Sequence, residues 1–244
     1  MPHIGEAIEY SLKIPTPLLM SWVTVLVLFV LSWLAVRRLR EIPGRLQAAF
    51  ETAFQFVFDL VDSSIGPEGK SYYPLFLGVF FYILVGNLLG LVPGLMSPTA
   101  NLNTTIALAL VIFFSTHFLG MKKQGFFRYL AHFGAGVPVW LKPLMFVIEF
   151  ISELARPLSL SFRLFGNIMA KEVLLGILAF LVVFMYSAGG VVDTAMTVVP
   201  LLLRPLIILL GLLVGFIQAF IFTLLSIVYV GGAVRTHSER SSKV

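Results

Sequence analysis

The chain has 244 residues, 59% of them hydrophobic and only 12% charged, with a mean hydropathy of +0.98. Soluble domains are about one-quarter charged, so a water-facing surface over most of the chain is excluded and a polytopic helical membrane protein is left. The net charge of +5 is not gathered into a basic stripe among aromatics, which argues against nucleic-acid binding, and the absence of cysteine removes disulfides, thiolate metal sites and cysteine nucleophiles.

Residues 17–36 carry no charge and have the length of a bilayer-spanning helix. Glu6 and Glu9 precede this span and Arg37, Arg38 and Arg40 follow it, which places the N-terminus outside and Arg37 inside. In residues 45–62, Arg45, Glu51, Gln55, Asp59 and Asp62 fall in one arc of a helical wheel, with Phe50, Ala53, Val57 and Val61 opposite. This pattern predicts an amphipathic helix in the cytoplasmic interface; its alternative is a helix packed on a soluble domain, which the chain lacks. Residues 71–121 hold no formal charge, enough for two spans at 72–92 and 104–120 joined by an outside loop marked by Pro93, Gly94 and Pro98. Lys122, Lys123 and Arg128 then fall inside. After a polar connector, apolar residues resume from 143 to 186, a run longer than a straight span needs. A turn with Gly189, Gly190, Asp193 and Pro200 separates it from a last apolar run ending at Val230, and Arg235, Arg240 and Lys243 put the 231–244 tail in the cytoplasm. The expectation is a single all-α membrane domain.

The penultimate run contains Glu149, Glu153, Arg156, Arg163, Lys171 and Glu172. Charges at membrane depth cost several kcal/mol, about 2.5–3.5 by insertion scales for Arg or Lys, and mark function by default. With Arg163 as the zero of a wheel, Glu149, Ser152, Glu153, Arg156, Ser159, Asn167 and Lys171 lie within about 120°, a polar track on one face, while Glu172 points the opposite way toward a neighbouring helix. A carboxylate can load and unload a proton, whereas an arginine cannot release its own. Arg163 is therefore a fixed cation that favours the ionised form of a passing carboxylate. Arg156 and Lys171 have a second reading as side chains that snorkel to an interface. In the last span Gly211 and Gly215 form a G-x-x-x-G spacing, and Gln218 needs a hydrogen-bonding partner in hydrocarbon. The four histidines (His3, His117, His132, His237) lack metal-ligand spacing, no phosphate-binding loop occurs, and no cofactor is called for.

The segment PLSLSFRLFGNIMAKE at 157–172, with IQAFIFTLLSIVYV near the C-terminus and PTANLN before the 104–120 span, resembles the a subunit of F-type ATP synthases, in a bacterial form. The resemblance implies transmembrane helices followed by two long tilted helices, here 143–186 and 201–230, that curve around a ring of c subunits. It implies that Arg163 faces the c-ring carboxylate. Asn167, Glu172 and Gln218, with Lys171 beside them, match the half-channel open to the outside. Glu149 and Ser152, with Glu153 on the same face, match the half-channel open to the cytoplasm. Some relatives place a histidine where Gly211 stands and a small residue where Lys171 stands, whereas some from alkaline habitats share the Lys and Gly. Asn101 replaces an acid seen in some members.

The resemblance thus implies a non-catalytic stator subunit in the bacterial inner membrane. Its partners would be the c ring, the b-subunit stalk, the remaining subunits and the bilayer. A self-contained secondary transporter is a rival that predicts an internal repeat with broken helices in both halves, which the sequence lacks. A structural scaffold is a second rival, and it leaves the polar track unexplained.

Overall fold

The computed structural model describes residues 15–37, 44–92, 94–126, 129, 138–188 and 197–234. Among them are six α-helices and no strand: α1 Thr16–Val36, α2 Arg45–Ser64, α3 Tyr73–Leu89, α4 Leu102–Gln124, α5 Lys142–Ala188 and α6 Val198–Val234. All but α2 are long and apolar enough to cross a membrane, α3 together with the 3-10 turn Pro67–Tyr72 that precedes it. The chain is an all-α polytopic membrane protein. The 47 residues of α5 and 37 of α6 measure about 70 Å and 55 Å at 1.5 Å per residue, against a hydrocarbon core of about 30 Å. Neither fits a bilayer upright.

Local chemistry sets the helix ends. Pro17 in α1 and Pro74 in α3 sit in the first turn, where an N–H has no intrahelical partner to lose. Asn101 caps α4, its Oδ1 accepting from the Asn103 N–H at 2.9 Å, and Lys122 and Lys123 in the last turn face the negative end of the helix dipole. Pro200, read above as turn punctuation, lies instead in the first turn of α6, since a proline is tolerated there. Several topology signals lie outside the described residues: Glu6, Glu9, Arg38, Arg40, Arg128, Asp193, Arg235, Arg240 and Lys243.

The core gathers at the crossing of α3, α4, α5 and α6, where Phe76, Phe80, Ile83, Ile112, Leu164 and Phe222 are fully buried. The apolar stripe of α2 packs on α3 and α6 of the same chain. Val57 and Val61 are buried there, Phe50 stacks on Phe81 at 5.4 Å and Phe58 on Tyr73 at 4.3 Å. The surface that receives α2 is thus the membrane bundle itself.

One buried polar chain fixes α3 against α6. Asn87 Nδ2 donates to the Gly215 carbonyl at 3.1 Å, Thr99 Oγ1 donates to Asn87 Oδ1 at 2.8 Å, and Ser97 Oγ donates to the Gly86 carbonyl at 2.9 Å. A Cβ on Gly215 would stand 3.2 Å from the Asn87 Cβ, so a glycine is what lets the helices approach closely enough for the amide to reach the backbone. Gly215→Val is expected to cost about 1–3 kcal/mol through overpacking and loss of this bond. Gly78→Ala, with open space around its Cβ, serves as the control and should be neutral or slightly stabilising. Thermal unfolding of the purified protein in detergent checks both.

Candidate functional site

The central third of α5 carries the site because it is far from water at both ends. Arg163 stands 21 residues after Lys142 and 25 before Ala188, more than about 30 Å along the axis from either. The face that α5 buries holds Leu160, Leu164, Ile168 and Lys171, and Arg163 lies exposed on the polar track beside Ser159 and Asn167, between that buried face and the exposed apolar side chains Phe162, Leu158 and Met169. Arg163 makes no hydrogen bond or ion pair with any described residue. A guanidinium at membrane depth is costly without an anion or polar partner, and no described residue supplies one to Arg163.

Two cavities flank it. The first, about 320 Å³, lies at the end of the bundle that holds residues 90–101, and Glu172 and Arg204 supply its charged lining, with Gly90, Gly94 and Gly176 at its walls. The second, about 400 Å³, lies at the opposite end between α4, α5 and α6, lined by Glu149, Glu153, Arg156, Gln124, Tyr129 and Tyr229 among others. They share no lining residue, and Arg163 lines neither. Glu149 precedes Arg163 by about 21 Å along the helix and Glu172 follows it by about 14 Å. The arginine therefore stands between two water-sized spaces that open toward opposite ends.

Toward the first cavity, Asn167 Nδ2 donates to Gln218 Oε1 at 2.8 Å, joining α5 to α6 one turn beyond Arg163. This supplies the partner that Gln218, only 2% exposed, requires. Its Nε2 remains buried without a bond. Lys171 is also buried, with its Nζ unpartnered. Its stem crosses Gly211, where a Cβ would lie 2.8 Å from the lysine Cδ. The glycine makes room for the lysine, and a larger residue at 211 would displace it. Glu172 is half-buried and turned away from the polar track, accepting from the Ser97 N–H at 3.4 Å.

Toward the second cavity, Glu149 and Glu153 are half-buried. Glu153 Oε1 binds Arg156 Nη1 at 2.6 Å, and the Arg156 guanidinium lies 5.1 Å from the centre of the Tyr229 ring. Arg156 is thus an ion-paired residue that lines this cavity. Ser152 and Ser159 are exposed on the Arg163 side, and the Ser152 hydroxyl donates back to the Ile148 carbonyl at 2.9 Å. Tyr129 closes over this end, its hydroxyl 3.1 Å from His117 Nδ1. Burial pushes the Tyr129 phenol up to about 12, so it remains protonated at physiological pH.

Three participants escaped the sequence reading. Arg204 was legible as a charge within the 201–230 run but was not singled out. Tyr229 and Tyr129 carry no sequence signal beyond being aromatic. His117, expected near the end of a span as a hydrogen-bonded packing residue, is in contact with the Tyr129 hydroxyl and with the Phe113 ring at 4.2 Å.

The sequence matches the family model described as ATP synthase A chain over residues 18–231. It is 42% identical over 214 residues to the ATP synthase subunit a of Geobacter sulfurreducens, covering 88% of this chain and 85% of that one. It is 39% identical to ATP synthase subunit a 3 of Pelobacter propionicus, covering 96% and 98%, and 39% identical to the ATP synthase subunit a of Gluconobacter oxydans, covering 95% and 91%. The matched stretch contains the polar face of α5, the Asn167–Gln218 bridge, the first cavity and all of the second but Gly232 and Ala233, and the chain belongs to the ATP synthase A chain family.

Proposed function

We propose that this chain is the ion-translocating stator subunit of a rotary ATP synthase. It provides two offset half-channels that pass protons to and from a carboxylate on a ring of c subunits. The observation that carries the reading is an exposed, unpartnered Arg163 on an apolar face between two cavities that share no wall. The family and the relatives' names support membership of the ATP synthase complex. The half-channels, the ring, the b-subunit stalk and the bacterial plasma membrane are parts of the proposal.

In this reading protons enter the Glu172 cavity from outside, pass Asn167 and Gln218 and neutralise a ring carboxylate, which can then leave Arg163 and face lipid. The open apolar surface of α5 and α6, tilted because both exceed the bilayer thickness, is where the ring packs. After a turn of the ring each carboxylate approaches Arg163 from the other side and gives its proton to the cavity beside Glu149. Arg163 stabilises the charged carboxylate but cannot itself relay a proton, so the two half-channels stay separate. The driving force is about 2.3 kcal/mol per proton per 100 mV, so several protons serve each ATP made elsewhere in the complex. The chain itself does no chemistry on nucleotide.

Arg163→Ala in the reconstituted complex is expected to lower both synthesis and ATP-driven pumping at least about a hundredfold, the scale of removing one fixed stabiliser of a reacting charge. Assembly should be unimpaired. Normal coupled synthesis would sink the assignment. For topology, the chain has no native cysteine, so an impermeant thiol reagent outside intact cells should label Gly5→Cys but not Ser238→Cys; the reverse pattern inverts the proposed orientation. Lys171 next to Glu172 is proposed to tune proton uptake. Lys171→Gly should displace the outside-pH dependence of proton-driven synthesis, and superimposable normalised profiles would reduce the lysine to an anchor.

A further inference from the structure

The cavity beside Glu149 adjoins a second, smaller space. Thr116, Glu153, Arg156 and Tyr229 line both and form the boundary between them, and Ala109, Ile112, Phe113, Pro157 and Leu160 complete the second. The near cavity, at about 400 Å³, holds roughly a dozen waters at ~30 Å³ each. The far space, at about 10 Å³, is at or below the ~10–15 Å³ needed for one. The adjoining space is thus far smaller than the cavity, and Arg156 stands where the two meet.

This boundary is held by specific contacts. The Arg156 guanidinium is gripped by Glu153 Oε1 at 2.6 Å on its own helix and by the Tyr229 ring of α6 at 5.1 Å. The Arg156 side chain is 41% exposed and that of Glu153 only 14%, so the pair has one side toward the cavity and one toward the bundle. Pro157 has no N–H to give the Glu153 carbonyl four residues back, which weakens the helix at this turn. The Thr116 hydroxyl donates to the Ile112 carbonyl at 2.8 Å on its own helix. The Arg156–Glu153 ion pair consequently supplies the charge at this boundary, with Arg156 about 10 Å along α5 from Arg163.

We infer that Arg156, clamped by Glu153 and Tyr229, is a positioning residue that seals the cytoplasmic cavity within the bundle. Protons then reach that cavity only along the open face of α5, where the ring would sit, and never between α4, α5 and α6. The seal deepens the half-channel reading and rests on it.

Cysteine accessibility in the assembled complex tests the seal directly. Leu160, 2% exposed, lines the space beyond this boundary and Val228 lines the cavity in front of it. A small impermeant thiol reagent is applied to the cytoplasmic face of inverted vesicles. Val228→Cys should react in every background, and Leu160→Cys should be protected while Arg156 is present. With Arg156→Ala the Leu160→Cys rate should rise at least about tenfold, equivalent to ~1.4 kcal/mol of barrier. Arg156→Lys, which keeps the cation beside Glu153, should restore protection, a rescue that a general loosening of the bundle would not give. Tyr229→Leu is the second variant and should expose Leu160→Cys without altering α5. Reaction of Leu160→Cys with Arg156 intact, or its continued protection in both Arg156→Ala and Tyr229→Leu, overturns the seal. Protection of Val228→Cys itself would overturn the cytoplasmic cavity assignment on which the seal rests, and so separates the two failures.

Discussion

A permanently charged guanidinium that projects from a membrane helix onto an apolar surface is the constraint from which the rest follows. Arg163 cannot lose its proton, and no described residue neutralises it. A charge so placed is costly in a bilayer unless an opposing charge is brought to it. In the proposed reading that charge comes from a ring carboxylate, and the α5 and α6 face is where the ring packs. The same constraint also explains why the cavities lie to either side of Arg163: a water path through this residue would solvate the guanidinium and weaken every interaction it makes.

Precision at the site comes from polar contacts that tie the two long helices to each other and to α3. Asn87 grips the Gly215 carbonyl, Asn167 grips Gln218, and the Lys171 stem fills the space over Gly211. Each couples a small residue or an amide on α6 to a polar side chain on a neighbour, the form of helix association that works where lipid is as apolar as the side chains. The glycines of the G-x-x-x-G spacing thus do different things. Gly215 admits an amide from α3, and Gly211 admits a lysine from α5. A change at 211 is therefore a change in the environment of Lys171, and the two positions form one unit.

The all-α membrane class was legible from composition and charge-free length alone, because burying a backbone in lipid leaves few alternatives to helix. The polar track on α5 was legible because several charges in an apolar run have no bland explanation, and a 3.6-residue period gathers them on one side. What sequence could not provide was partnership across elements. Gln218 announced a need for a hydrogen bond but not that Asn167 meets it. Arg156 allowed two readings, and neither named Glu153 and Tyr229 as its partners. Asn101, considered as a replaced acid, proves to be the cap of α4. The packing of α2 on the bundle was missed for a similar reason, since an amphipathic pattern specifies an apolar face without naming what covers it.

The central claim is that Arg163 meets a carboxylate of another chain while separating two aqueous spaces. A structure of the intact membrane sector, at a resolution that resolves ordered water, measures this most directly. The account predicts a partner carboxylate that comes within about 4–6 Å of the Arg163 guanidinium, with one file of water ending near Asn167 and another confined to the Glu149 side. An Arg163 facing lipid, or a single continuous column of water running past it from one end of the chain to the other, would contradict the account.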